Sequence, residues 1–328
     1  MISLKFCKLL GMELVPYLER LQICYEQNVP LSRKTWIKTG GICACWITPD
    51  SIQQLKDVCS YLYQNNITFD LVGQTSNIFF HSTYNSDIVV STVKVNQYEI
   101  KNDVIICDCG VSVIKLAMDC MAQGYAGFYG LVGLPGTVAS AVVNNAGCFN
   151  CSISSMLLSA DVLLPDGSVK TMMKEDFGYT KRSSIFKRKK DNGIILSVKL
   201  KLQRADNVDK ELLKAENTKV WRKIHQEGYA KNLGSIYAKR QIRRNVKNIL
   251  SAICIKTAGM LRIASPAVVQ KRMLLWLYGY KDLDRYISDK NINTFVWGDQ
   301  FAEQAFERYK QFMSEVYKNL EIEIEEKS

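Results

Sequence analysis

Histidine is almost missing from this chain of 328 residues, where only His81 and His225 occur. The eleven cysteines offer one lone C-x-x-C pair, Cys148 and Cys151, and a structural zinc site needs a second pair or suitably spaced histidines. Core packing is the better reading for the pair, and no metal is expected. No run of about 18 uncharged apolar residues is present, which excludes an ordinary spanning helix, so no membrane partner is expected. The N-terminal MISLKFCKLLGMEL is faintly signal-like, but Lys5 and Lys8 break it and no small-residue cleavage site follows. A cytoplasmic location with reduced thiols is therefore expected. No G-x-G-x-x-G follows the first strand, which excludes a Rossmann fingerprint, and there is no internal repeat.

What is present is a globular composition, 47% hydrophobic and 23% charged, with room for two or three units. The net charge of +11 is concentrated: residues 170–250 hold 22 Lys/Arg against 8 Asp/Glu, a surplus of 14, which leaves −3 for the rest. Such a block implies an anionic partner or a solvated basic face. No nucleic-acid-binding module is recognisable and few aromatics interleave the basic residues, so no nucleic acid is expected. A phosphorylated small molecule suits the charge equally well.

Patterning predicts a helical lead-in (MELVPYLERLQICYEQ), then a strand ICACWIT. Its Cys43 and Cys45, like Cys107 and Cys109 in VIICDCG, alternate onto one face. Pro49 and Asp50 start a helix with Ile52, Leu55, Val58, Leu62 and Tyr63 on its apolar side. ITFDLVG, SDIVVST, YEIKND and VIICDCG read as strands, and VSVIKLAMDCMAQG as an amphipathic helix closed by Gly124. Residues 157–165 and 193–203 read as strands, with a turn at Pro165-Asp-Gly167. From about 207 the chain is helical and basic, ending in a helix near 300–317 and the alternating strand LEIEIE.

Two stretches stand apart. LVGQTSNIFF, residues 71–80, interrupts two apolar runs with Gly73, Gln74, Thr75, Ser76 and Asn77. About 60 residues on, GFYGLVGLPGTVASAVVNNAG, residues 127–147, contains no charged group. Exposed backbone N–H groups, a serine hydroxyl and an asparagine amide suit a pyrophosphate. Either turn alone is better explained by structure; the pair and its spacing favour a phosphate cradle.

The order of motifs completes a resemblance. Thr35-Trp-Ile-Lys-Thr-Gly-Gly41, Gly73-Gln-Thr-Ser-Asn77, Gly133-Leu-Pro-Gly-Thr-Val138 and Asn145-Ala-Gly147 resemble the UDP-N-acetylenolpyruvoylglucosamine reductase (MurB) family over residues 30–205. The resemblance implies an α+β fold. Two α/β FAD-binding subdomains of the vanillyl-alcohol-oxidase/p-cresol-methylhydroxylase type, residues 1–89 and 90–206, precede a MurB-like α+β substrate domain, 207–328. It implies FAD held by Gly73, Gln74, Thr75, Ser76, Asn77, Ile78, Gly133, Pro135, Gly136, Thr137, Asn145 and Gly147.

The same resemblance carries three catalytic roles to this sequence. Arg182, in Glu175-Asp-Phe-Gly-Tyr-Thr-Lys-Arg182, would stabilise enolate charge. Ser235, in Asn232-Leu-Gly-Ser235, would deliver a proton, and Glu323, in Leu320-Glu-Ile-Glu323, would help polarise the acid or orient the site. Taken singly, Arg182 is one charge in the basic loop KRSSIFKRKK, Ser235 a turn serine and Glu323 a surface residue of a terminal strand. The implied reaction is NADPH-dependent reduction of the enolpyruvyl ether of a UDP-sugar by a monomer. The match is uneven: Thr75 and Lys181 replace a glycine and a tyrosine, Tyr237-Ala-Lys-Arg240 replaces F-K-N-P, and 240–300 matches poorly. A different enolpyruvyl sugar nucleotide, met by basic residues 239, 240, 243 and 244, is one expectation from that pattern. A flavin-binding relative that has lost catalysis is the alternative. An oxidase of the same flavin class is a third, and His81 is not placed for covalent flavin attachment.

Overall fold

The computed structural model describes residues 13–188, 192–228, 231–261 and 265–328. The signal-like stretch through residue 12, and Lys189 and Lys190 of the basic loop, lie outside them. Contacts divide the chain into two compact units. The first comprises 1–34, 41–76 and 84–219, the second 35–40, 77–83 and 220–328.

The first unit opens with α1 (Val15–Arg20), β1 (Cys24–Pro30) and β2 (Ile42–Thr48). Helix α2 (Ile52–Gln64) starts where Ser51 Oγ accepts from the Gln54 N–H at 3.3 Å, and buries Leu55, Val58, Cys59 and Leu62. Strand β3 (Asp70–Val72) follows, β4 (Ile78–Phe80) belongs to the second unit, and β5 (Ser86–Ser91) returns. The sheet order is β1-β2-β5-β3, with β1 antiparallel to β2 and the other pairings parallel. Cys43 and Cys45 are fully buried as alternation predicts, and burial pushes the Cys43 thiol up to about 11 and Cys45 to about 12.

Next come β6 (Tyr98–Lys101), β7 (Val104–Asp108), α3 (Val113–Ala122) and α4 (Val138–Val143). The hairpin β8 (Gly147–Cys148) and β9 (Cys151–Ser152) faces Cys148 to Cys151 in register. Strands β10 (Leu157–Leu163), β11 (Val169–Met173) and β12 (Ile194–Lys201) complete an antiparallel sheet of order β11-β10-β12-β7-β6. Its core joins Val113, Leu116 and Cys120 of α3 to Val138 and Val142 of α4 and Val198 and Leu200 of β12. Helix α5 (Val208–His225) is divided between the units after Lys219.

In the second unit β13 (Tyr237–Ile242) precedes α6 (Val246–Leu261), α7 (Pro266–Tyr278) and α8 (Ala302–Val316), then β14 (Tyr317–Ile322) and β15 (Glu325–Lys327). An aromatic core forms around Phe306, whose ring lies 5.3 Å from Phe79 and 5.0 Å from Phe295. Lys271, 2% exposed, is paired with Asp289 at 2.5 Å and donates to the carbonyls of Asp284 and Ile287.

Three expectations from patterning are corrected. CYEQ opens strand β1, because pairing with β2 overrides near-helical apolar spacing. Strand β11 escaped notice because only Met172 of its five residues is buried, leaving no alternation to read. LEIEIE is two strands: β14 pairs antiparallel with β13, and β15 pairs parallel with β4, so the ladder changes partner at Glu323–Ile324.

The seam around β15 carries an acid-sensitive contact. His81 Nδ1 lies 2.8 Å from Glu303 Oε1 and Nε2 lies 3.4 Å from Glu326 Oε2, while Lys310 Nζ bridges Glu307 and Glu326 at 2.8 and 3.0 Å. Burial pushes the Glu303 carboxyl up, but bonds from Ser82 and His81 outweigh it and hold the group below its ordinary 4.5. A depressed acid adds stability that is present above its unfolded value and lost as pH falls through the folded one. Glu303→Gln is therefore expected to narrow the gap between melting temperatures at neutral and acidic pH. Equal losses at every pH would remove this role from Glu303.

Candidate functional site

In the first unit the two polar turns meet. Gln74 Oε1 accepts from the Gly136 N–H at 2.9 Å, and Ser76 Oγ donates to the Pro135 carbonyl at 3.3 Å. A Cβ on Gly73 would come within 2.7 Å of Thr137 Oγ1, so bare backbone lets the turns close on each other. Gly136 itself takes a φ of 133°. Gly133 sits in the turn before it, where the Leu134 N–H donates to Leu131 O at 3.0 Å. Thr75 takes a φ of 55° and is buried, so a β-branched residue does occupy a left-handed position.

The second turn differs from expectation in its donors. The N–H groups of Thr137, Val138 and Ala139 go to Ser140 Oγ, Val111 O and Cys109 O, and that of Gly136 to Gln74. These groups hold the turn in shape instead of facing a ligand. Thr137 and Ser140 cap α4 reciprocally, which fixes the turn against the helix.

Beside Gly73 and Gln74 opens a cleft of about 440 Å³, lined also by Tyr25, Lys34, Trp46 and Ser91. Trp46 stands on the face of β2 opposite Cys43 and Cys45. Lys34 Nζ lies 5.9 Å from its ring centroid and 2.5 Å from Glu26 Oε1. Sequence reading passed over Trp46 and Lys34, although the alternation that buried the thiols already assigned Trp46 to the other face.

Asn145 ties this region to Arg182. Its Nδ2 donates to the Thr180 carbonyl at 2.8 Å, and Thr180 and Ser183 exchange backbone bonds at 3.0 and 3.2 Å around Arg182. Arg182 is half-buried at a φ of 58°. Ser184, fully buried, anchors the far side through a 2.6 Å bond to Val143 O. Gly147 has a structural reason to be glycine, since a Cβ there would meet Cys151 O at 2.4 Å.

In the second unit Ser235 and Glu323 are brought together. The Glu323 N–H donates to Ile236 O at 2.8 Å, directly after Ser235. Asn293, 2% exposed, brackets the same segment: its Oδ1 accepts from Tyr237 N at 3.1 Å, its Nδ2 donates to Tyr237 O at 2.9 Å, and its carbonyl accepts from Ile236 N. Asn232 Oδ1 accepts from Gly234 N at 3.0 Å, shaping the turn before Ser235. Asn77, expected on the cofactor, donates to Glu323 O at 3.2 Å and accepts from Glu325 N at 2.9 Å, while Ile78 pairs with Glu325. Asn293 lies in the poorly matching stretch 240–300, where nothing in the sequence signalled this role. Of the basic residues expected near a diphosphate, Lys239 pairs with Glu321 at 2.5 Å and Arg243 Nε donates to Ser314 O and Tyr317 O at 3.0 Å.

A sequence profile described as an FAD binding domain matches residues 43–172, the segment that holds both turns. The chain is 31% identical over 175 residues to UDP-N-acetylenolpyruvoylglucosamine reductase of Trichormus variabilis, covering 53% of this chain and 52% of that protein. It is 29% identical over 227 residues to that of Halalkalibacterium halodurans, covering 69% and 74%. The solved Thermus caldophilus reductase superposes with a TM-score of 0.67 at 20% identity, over 93% of this chain and all of that one. The chain is similar in sequence to UDP-N-acetylenolpyruvoylglucosamine reductases and shares the fold of the Thermus protein. It spans about half the length of the Trichormus relative it matches. The fold is the expected α+β arrangement with an FAD-binding part.

FAD, the cofactor named by the matching profile, fits the residues present. The turns close only over a glycine at 73, and Asn145 Oδ1 is buried without a hydrogen-bond partner among the described residues. An acceptor left so, next to the Arg182 turn, is what a ligand N–H would satisfy. Gly73, Gln74 and Ser76 close against Pro135, Gly136 and Thr137 through the turns' own bonds.

Proposed function

We propose that the protein is a flavin-dependent oxidoreductase that uses NADPH to reduce the enolpyruvyl ether of a UDP-sugar. The transformation is UDP-N-acetylenolpyruvoylglucosamine to UDP-N-acetylmuramate or its counterpart on a related sugar nucleotide. The observation that carries this reading is the bond from Glu323 N–H to Ile236 O, which sets the Glu323 backbone against the segment that follows Ser235. Bound FAD supplies the hydride relay from NADPH to the double bond.

Hydride arriving at the terminal carbon leaves negative charge on the carbon that bears the carboxylate. Arg182 offsets that charge by ionic hydrogen bonding, and the Asn145-held turn fixes where its guanidinium can reach. The Ser235 hydroxyl delivers the proton to the carboxylated carbon, leaving the lactyl ether. Glu323 orients the serine segment, and Asn293 keeps that segment in place. An exclusion of water at Ser235 favours the transfer, since a serine hydroxyl is a poor acid in bulk water. A cytoplasmic monomer follows from the same reading.

Purified protein is expected to carry a yellow flavin spectrum, to be bleached by NADPH without air, and to regain colour when the enolpyruvyl sugar nucleotide is added. Bleached protein that the substrate leaves colourless would instead select a flavin-binding protein without reductase activity. Colourless protein that takes up no added FAD would overturn both.

A further inference from the structure

Helix α6 is turned inside out. Val246, Ile249, Leu250, Ile253 and Met260 are 72%, 58%, 45%, 55% and 85% exposed, and at about 100° per residue they share one stripe. Its opposite side buries Asn248 and Ser251, at 4% and 2% exposure, and Asn248 Nδ2 donates to Arg243 O and Val316 O. An ordinary surface helix of a soluble protein does the reverse. Asn248 is hydrogen-bonded there, while Ser251 Oγ is enclosed without a partner among the described residues.

Along the sequence, the charge on and beside this helix has one sign. From 228 to 281, 54 residues contain 11 Lys/Arg and no Asp or Glu. Lys247 and Lys256 are exposed on α6 itself, and Arg243 and Arg244 are exposed just before it. An apolar stripe flanked by lysines, without any carboxylate, is the composition of a helix that lies in an anionic lipid interface. A second copy of the chain would set two basic surfaces face to face. A nucleic acid would find the charge but leave the apolar stripe in water.

We propose that α6 docks the protein on an anionic bilayer surface, its stripe entering the acyl boundary and its lysines meeting headgroup phosphates. No described helix is long and apolar enough to cross a membrane, and the expectation of no membrane partner rested on such spans; a helix lying in the surface is a separate mode. The proposal is independent of the reductase reading, because lipid binding is read without substrate or turnover.

The test is co-sedimentation of the full-length, flavin-loaded protein with phosphatidylcholine vesicles and with equal mixtures of phosphatidylcholine and phosphatidylglycerol. Binding to the mixed vesicles alone, weakened by salt, is expected. Lys247→Gln and Lys256→Gln should each lower partitioning about fivefold. The exposed pair Ile249→Asn with Ile253→Asn should lower it at least about tenfold while circular dichroism stays unchanged. Equal binding to neutral vesicles, no binding to either, or indifference to both sets of substitutions would overturn the proposal. So would a dimer in solution that the Ile249→Asn, Ile253→Asn pair converts to monomer, which would assign the stripe to a second copy.

Discussion

Replacing Ser235 by alanine is expected to leave FAD content and reduction by NADPH intact while slowing return of hydride to the enolpyruvyl substrate about 100- to 10,000-fold. The split follows from where Ser235 sits. It lies in the second unit, on a segment held by backbone bonds of Ile236 and Tyr237 to Asn293 and Glu323, none of which uses the hydroxyl. Removing the hydroxyl therefore removes a proton donor and leaves the scaffold whole. Ser235→Cys, with a more acidic side chain of similar size, should recover part of the rate. Stopped-flow measurement of the two half-reactions decides the matter. Equal slowing of both, or no slowing of reoxidation, would take the proton-transfer role away from Ser235.

The sequence made the two turns legible because glycine spacing reports backbone geometry directly: Gly73 is needed where Thr137 comes within reach of its Cβ position. Hydrophobic alternation likewise placed β2 and α2 nearly to the residue. What the sequence hid was where donors are spent. Nothing local indicates that Gln74 occupies the Gly136 N–H, or that Asn77 faces Glu323, because those partners lie 62 and 246 residues away. Asn293 was hidden for the same reason: an asparagine among apolar residues looks like a loop until its two bonds to Tyr237 are seen. The terminal alternation LEIEIE concealed a change of partner, since a period of two is common to antiparallel and parallel pairing.

Gly110→Ala is expected to cost about 3 kcal/mol or more and to leave little folded protein at ordinary growth temperatures. A Cβ at this position would lie 1.8 Å from Thr92 O and 2.7 Å from Val95 O, backbone atoms that cannot swing aside. Gly110 N–H also donates to Val95 O at 2.8 Å, so relieving the clash breaks that bond. Its neighbours carry the strain to the second turn, for Cys109 O accepts from Ala139 N at 3.1 Å and Val111 O from Val138 N at 2.8 Å. Any backbone shift at 110 moves the Gly136–Thr137 turn, so whatever protein folds should also lose flavin. Gly259→Ala is the control: it lies in α6 with nothing within 4 Å of the added carbon, and it should stabilise by about 0.5–1 kcal/mol through helix propensity. Thermal melts of the two variants, with flavin absorbance read on the soluble fraction, separate crowding from generic glycine effects. A Gly110→Ala protein that melts with the wild type and keeps its flavin would show that the Thr92–Val95 turn yields, and that flavin binding does not depend on it.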